Sequence, residues 1–286
     1  MSQPTYAARV IVLRKTKLGE SDLILTMLAE GGEQLRAVAK GARKPRSTFA
    51  SRLELYSCAD VLCAQGRNLD IVKEARLVEG NAALRHDFDL NAAAAPIAEL
   101  LDRITEPDLA APKLFALAHA AFAALGRADA AHAPLITVGF ILKALAFSGL
   151  RPCFDQCAVC GTAVDLQGNQ RDDLRGNLQD GLQGDLQGNE RGSLRGAGTS
   201  IAWSPSEGGV VCGTCARHCE SRCVEVGPVA WARALLYARF DEFATFECDE
   251  RTLYALLQLC HEWVRYHVGS GLKALAFLQT NGNLTG

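Results

Sequence analysis

Two cysteine pairs constrain this chain more than any other feature. Cys157-x-x-Cys160 and Cys212-x-x-Cys215 each let two thiolates reach one cation from a tight turn, and two such knuckles complete a tetrahedron. The 51 residues between the pairs are many for one site, but residues 166–197 divide into eight tetrads, LQGN QRDD LRGN LQDG LQGD LQGN ERGS LRGA. Without those 32 residues the gap is 19, inside the roughly 15–20 usual for paired knuckles. Glycine holds the third place in six tetrads and costs a helix about 1 kcal/mol each time. A stretch this polar cannot bury enough surface to order itself. The insert is therefore expected to be a disordered loop that expands a β-hairpin tip of an ordinary finger. Four thiolates close the coordination sphere and leave no position for water, so the predicted role is structural, with one zinc ion per chain. Cys153, Cys219, Cys223 and His218 are candidates to exchange as ligands; the plainer reading makes the cysteines small, partly buried hydrophobes. Seven of the 11 cysteines crowd into 153–160 and 212–223, and the odd total favours metal over disulfides.

Residues 6–79 read as strands. Ala8, Val10 and Val12 alternate with Ile11 and Leu13, followed by Leu23–Leu28, Leu35–Lys40, Leu53–Cys63 and Leu69–Val78, with glycines between them. Five strands over this length predict a small barrel: an OB-fold, with an SH3-like barrel as the competitor. From about residue 81 the apolar period becomes helical: Ile97, Leu100, Leu101 and Ile104, then Leu114, Leu117, Ala121 and Leu125, then Leu135, Val138, Leu142 and Leu145. Pro96, Pro112 and Pro134 are expected near helix starts. Helical stripes resume after the second cysteine run, with Asp249 and Glu250 at one helix start and a short amphipathic segment at Leu272–Leu278. The fold class is thus α+β. An N-terminal five-stranded barrel (1–80) precedes an α-helical domain (81–150 and 224–286), into which the finger (151–223) is inserted.

Net charge is −2, but residues 1–85 carry 14 Lys+Arg against 9 Asp+Glu. A basic first domain on a near-neutral chain points to an anionic partner. Six bases and no acid occupy 36–52: Arg36, Lys40, Arg43, Lys44, Arg46 and Arg52. Gly41 and Pro45 mark Gly41–Thr48 as a loop leaving a strand, well placed to neutralise phosphates. Tyr6, Phe49 and Tyr56 are the only aromatics of the barrel. That is little for base stacking, so a phosphate-directed, weakly sequence-specific grip on single and double strands is expected. A phosphate-binding GxxxxGK[ST] loop and a KxDG ligase motif are both absent, and Asp87-x-Asp89 reads as a helix cap or a solvated face rather than a nuclease pair. No enzymatic activity is expected. Arg9, Arg14, Lys15 and Lys17 interrupt the first apolar run, and the longest uncharged stretches are 13 residues, against ~20 for a membrane span. A soluble cytoplasmic protein, without membrane partners, is the expectation.

Beyond these patterns, the arrangement resembles the bacterial recombination mediator family RecO. AKGARKPRS (Ala39–Ser47) is similar to the family's barrel motif, as is the Gly19-Glu20-Ser21-Asp22 turn before the second strand. LRPCFDQCAVCG (Leu150–Gly161) with GGVVCGTC (Gly208–Cys215) is similar to its finger, and HVGSGLKALAFL (His267–Leu278) also fits. The resemblance covers the chain except 166–197. It implies a protein of DNA repair and homologous recombination, at the nucleoid. Such a mediator binds single- and double-stranded DNA, anneals complementary strands and, with RecR, loads RecA onto DNA coated by single-strand binding protein, whose acidic tail docks on the helical part. Lys40, Arg43, Lys44 and Arg46 lie inside the matching motif and carry over as DNA contacts; Arg52 is added from the charge pattern alone. The alternative is a zinc-ribbon and OB-fold nucleic-acid-binding adaptor in transcription or RNA metabolism.

Overall fold

The computed structural model describes residues 4–164, 166 and 200–281. β1 (Thr5–Leu18), β2 (Asp22–Ala29), β3 (Gln34–Ala39), β4 (Cys58–Ala64) and β5 (Asp70–Glu79) close a barrel in the order β1-β2-β3-β5-β4. β4 pairs back onto β1, and only β3–β5 is parallel. This is the five-stranded OB closure. Val10, Val12, Leu25, Met27, Ala37, Ala59, Val61 and Val72 fill the interior. Ile11, Leu13 and Leu28 face the other way and join the core of the helical body. β1 is therefore apolar in both phases because both its faces are covered, one by the barrel and one by helices.

The fourth strand starts later than expected. Leu53–Ser57 is turn rather than strand. Leu53 plugs the barrel end, while Tyr56 takes a φ of +66° and lays its ring 5.3 Å from that of Phe122. Their apolar character serves two different cores, which strand periodicity cannot distinguish.

α1 (Ala83–His86), α2 (Phe88–Ile104), α3 (Pro112–Leu125) and α4 (Ala133–Phe147) follow. Asp87 caps α2, its carboxylate accepting from Leu90 N at 3.0 Å, which selects the cap over the solvated face. Pro112 opens α3 and Pro134 sits in the first turn of α4. Pro96 departs from expectation: it lies inside α2. It forfeits one main-chain bond, but burial of Leu90, Ala93, Ala94 and Ile97 on both sides of it carries the helix through. α4 is buried around nearly its whole circumference, which makes it the central helix. α5 (Val226–Tyr237), α6 (Glu250–His267) and α7 (Lys273–Asn281) complete the body. Asp249 caps α6, accepting from Thr252 N. No helix among the described residues is long and apolar enough to cross a membrane.

Lys143 of α4 reaches the carbonyl end of α5. Its ammonium donates to Leu236 O at 2.7 Å and to Leu235 O, and lies 5.9 and 5.7 Å from the ring centres of Phe240 and Phe243. Burial pulls its pKa from 10.5 down to about 8. The folded chain then binds fewer protons at this site than the unfolded chain between those values, so stability rises with pH across that window. The urea-denaturation stability of the wild type relative to Lys143→Met should accordingly climb from pH 8 to 10.5. A flat difference would show that the ammonium carries no such burden.

The finger contains β6 (Ser200–Ser204), β7 (Gly209–Val211) and β8 (Arg222–Glu225), in the order β7-β6-β8. Trp203 of β6 stacks on Phe154 at 5.8 Å and meets Trp263 of α6 at 5.2 Å, while Trp263 Nε1 donates to Leu150 O at 2.9 Å. These aromatics mount the finger on the body. The β6–β7 hairpin turns at residues 205–208, downstream of the tetrads. Apart from Leu166, the tetrad insert, and with it the expectation of a disordered loop at a hairpin tip, lies outside the described residues.

Candidate metal centre and nucleic-acid interface

Backbone chemistry brings the two knuckles together. Gly209 has a φ of +145°, and a Cβ there would lie 2.2 Å from Cys153 O. Glycine thus allows β7 to run against residue 153, bonded by Cys153 N to Gly208 O and Val210 N to Cys153 O, both 2.9 Å. The next residues of that strand deliver Cys212 to the first knuckle.

The sulfurs of Cys157, Cys160, Cys212 and Cys215 all lie within 4.8 Å of one another and could hold a metal ion. Cys160 Sγ and Cys212 Sγ are 3.8 Å apart, matching the ~3.8 Å edge of a tetrahedron with ~2.3 Å metal–sulfur bonds. Burial would raise the Cys157 thiol, but N–H groups of Cys212, Cys160 and Val159 outweigh it and lower its pKa. Cys212 N donates to that sulfur at 3.2 Å. The Thr162 hydroxyl and amide hold Cys160 down at about 6. Hydrogen bonding with Cys212 and Cys160 pushes Cys215 up to about 12. Sulfurs packed this closely cannot all ionise unless a cation joins them, so the donor set suits a thiophilic dication. All four predicted ligands are present. Cys153 Sγ turns to Gln156 O, Cys219 packs beside Cys157 and Cys212, and His218 and Cys223 are exposed; among the described residues none of these joins the cluster.

On the barrel, many bases are already occupied. Arg9 and Arg76 share Asp60, Arg14 pairs with Asp102 and Lys15 with Glu54. All five predicted contacts, Lys40, Arg43, Lys44, Arg46 and Arg52, are exposed, and the described structure shows no ion pair for them; Arg43 and Arg52 differ in bonding backbone carbonyls. Arg43 Nη1 donates to Gly19 O at 3.2 Å and Glu20 O at 3.0 Å. Arg52 Nη1 donates to Ala75 O at 3.0 Å, on the β5 side. Arg43 thus lies against the β1–β2 turn, with Lys40 and Lys44 near Asp22 at that turn and Arg52 held to β5. Exposed Lys73 of β5 follows by two residues the Ile71 that pairs with Val38 of β3. No local pattern could have found Lys73, because the pairing spans 33 residues.

The barrel's aromatics are engaged elsewhere. Tyr6 donates to Asp70, Phe49 packs against the barrel core and Tyr56 is buried against Phe122. The basic surface can hold phosphates, and among the described barrel residues only Tyr6 and Phe49, both partly buried against the core, keep any ring surface exposed.

Comparison with known proteins agrees with this geometry. The family model described as recombination protein O N terminal matches residues 1–81, and that described as recombination protein O C terminal matches 85–172. A protein of Cutibacterium acnes named DNA repair protein RecO is 30% identical over 287 residues, covering 96% of this chain and 99% of its own length. One of the same name from a Nocardioides species is 31% identical over 281 residues, with the same coverage. One from Bifidobacterium longum is 40% identical over 161 residues, which span 55% of this chain and 66% of that relative.

Proposed function

The chain belongs to the RecO family of DNA repair and recombination proteins, and on that premise we propose that it works as a non-enzymatic strand-annealing mediator in the bacterial cytoplasm and nucleoid. The barrel, residues 1–80, is the DNA-binding domain, and Lys40, Lys44 and Arg46 are its direct phosphate contacts. Arg43 and Arg52 belong to the same basic segment. The observation that carries this reading is the set of exposed cations that form no ion pair among the described residues, beside a barrel whose few aromatics pack on its core. Such a surface neutralises backbone charge and leaves base edges unstacked. Two complementary strands held this way repel one another less and keep their pairing edges free.

Zinc is the ion the four sulfurs would hold, and it would supply folding energy for the finger rather than chemistry. The partners are single- and double-stranded DNA, RecR and single-strand binding protein, with RecA served indirectly by loading onto the coated strand.

The test is annealing of complementary strands precoated with single-strand binding protein. Lys44→Gln/Arg46→Gln should slow annealing on every sequence tried. Annealing at the wild-type rate would sink the mediator reading and favour a nucleic-acid-binding adaptor.

A further inference from the structure

The two barrel motifs, Gly19–Asp22 and Ala39–Ser47, are joined by four contacts into one unit. Gly41 N donates to Asp22 Oδ1 at 2.7 Å, and Ser21 Oγ donates to the same oxygen at 2.9 Å. Arg43 N donates to Ser21 O at 2.9 Å, and the Arg43 guanidinium spans the carbonyls of Gly19 and Glu20. Gly41 turns through a φ of +66° to make the approach, a conformation glycine adopts without a steric penalty. Within the loop, Lys44 N bonds Gly41 O at 3.1 Å and Ser47 N bonds Lys44 O at 2.9 Å. The loop that carries the free cations therefore has a defined seat.

We propose that Asp22 and Arg43 are positioning residues that seat the basic loop on the β1–β2 turn, so that Lys40, Lys44 and Arg46 meet a DNA backbone already arranged. The proposal rests on the phosphate-binding reading above. Asp22 is the informative member because two accounts of it predict opposite signs. It lies close enough for Lys40 and Lys44 to favour its charged form, although its amide and hydroxyl donors matter more. As a mere negative charge among cations, Asp22 would repel phosphate, and its removal would tighten binding. As a seat, its removal frees the loop, and DNA must then bear the cost of ordering it. Arg43 is a member because one Nη1 holds two carbonyls of the turn, which ties the loop down whether or not its other donors reach phosphate.

The experiment measures affinity for a mixed-sequence single strand at fixed salt, together with amide exchange in the DNA-free full chain. Asp22→Ala and Arg43→Gln should each weaken binding about tenfold, the equivalent of ordering roughly one residue's backbone. Both should speed exchange at Lys44 N about tenfold as the loop opens. Asp22→Asn keeps an oxygen for Gly41 N and should recover most of the affinity despite losing the charge. Lys44→Gln should weaken binding without changing exchange at Ser47. Tighter binding by Asp22→Ala, with Lys44 exchange unchanged, overturns the seat while leaving the phosphate reading intact. A wild-type chain that binds no DNA overturns the phosphate reading and the seat with it.

Discussion

Cys157→Ser should take bound zinc from about one ion per chain to near none and unfold the finger. Zinc affinity in finger domains is folding free energy, ~10–16 kcal/mol at neutral pH. Among the described residues, the apolar group around the knuckles comprises buried Cys157, Val211 and Cys212 with a few partly buried neighbours, little to offset such a loss. The finger is coupled to the body through Phe154, Trp203 and Trp263, so its loss should expose those rings and shift tryptophan emission to longer wavelength. A strong chelator should reproduce the shift in the wild type. Cys219→Ser should retain the ion, since that residue packs beside the cluster without joining it. Zinc retained by Cys157→Ser, or lost from Cys219→Ser, would redraw the ligand set.

The second large effect is electrostatic. Lys40→Gln/Lys44→Gln/Arg46→Gln removes three proposed phosphate contacts. Each contact contributes ~0.9 to the slope of log affinity against log salt on duplex DNA and ~0.7 on single strands. The triple variant should therefore flatten the slope by about 2.7 and about 2 respectively, and lose two to three orders of magnitude in affinity near ~0.1 M salt. Neutral glutamines keep the side chains polar, and the exposed positions should leave stability within about 0.5 kcal/mol. A slope equal to that of the wild type would mean that these cations do not touch phosphate. Adding Lys73→Gln should flatten it further if the β3–β5 register extends the binding track as far as that residue.

The aromatic count is also tied to mechanism. With Tyr56 buried and Tyr6 and Phe49 packed part-buried on the barrel core, single-strand affinity should vary little with base identity, since little aromatic surface is left to stack a base. A mediator that must act on any sequence benefits from that indifference.

Much of this architecture was legible before any coordinates. That the four thiols would cluster could be anticipated because a CxxC turn fixes two donors through three peptide units, and 19 residues between knuckles is a length a small finger can span. The barrel and the helical body announced themselves through a change of apolar period near residue 81. Asp249 could be placed at a helix start and Asp87 at a cap or solvated face because helix ends act on their own neighbours; that both carboxylates cap is what the fold adds. Pro96 misled because local backbone preference favours a helix start, whereas burial on either side of it decided otherwise. Leu53–Tyr56 misled because apolar residues look alike whether they line a strand or plug an end.

By itself, then, the chain's order of residues determined what short stretches can do: place two thiolates, turn at glycine, alternate inward and outward, gather cations in a loop. Only the tertiary structure decided which of those cations stay free, because their competitors arrive from far away: Asp60 for Arg9, Asp102 for Arg14, the carbonyls of residues 19 and 20 for Arg43, and Ala75 O for Arg52. A positive charge on a string of letters is available to any anion. In the fold it belongs to whichever acceptor lies within about 3 Å, and that is set by strand register and packing.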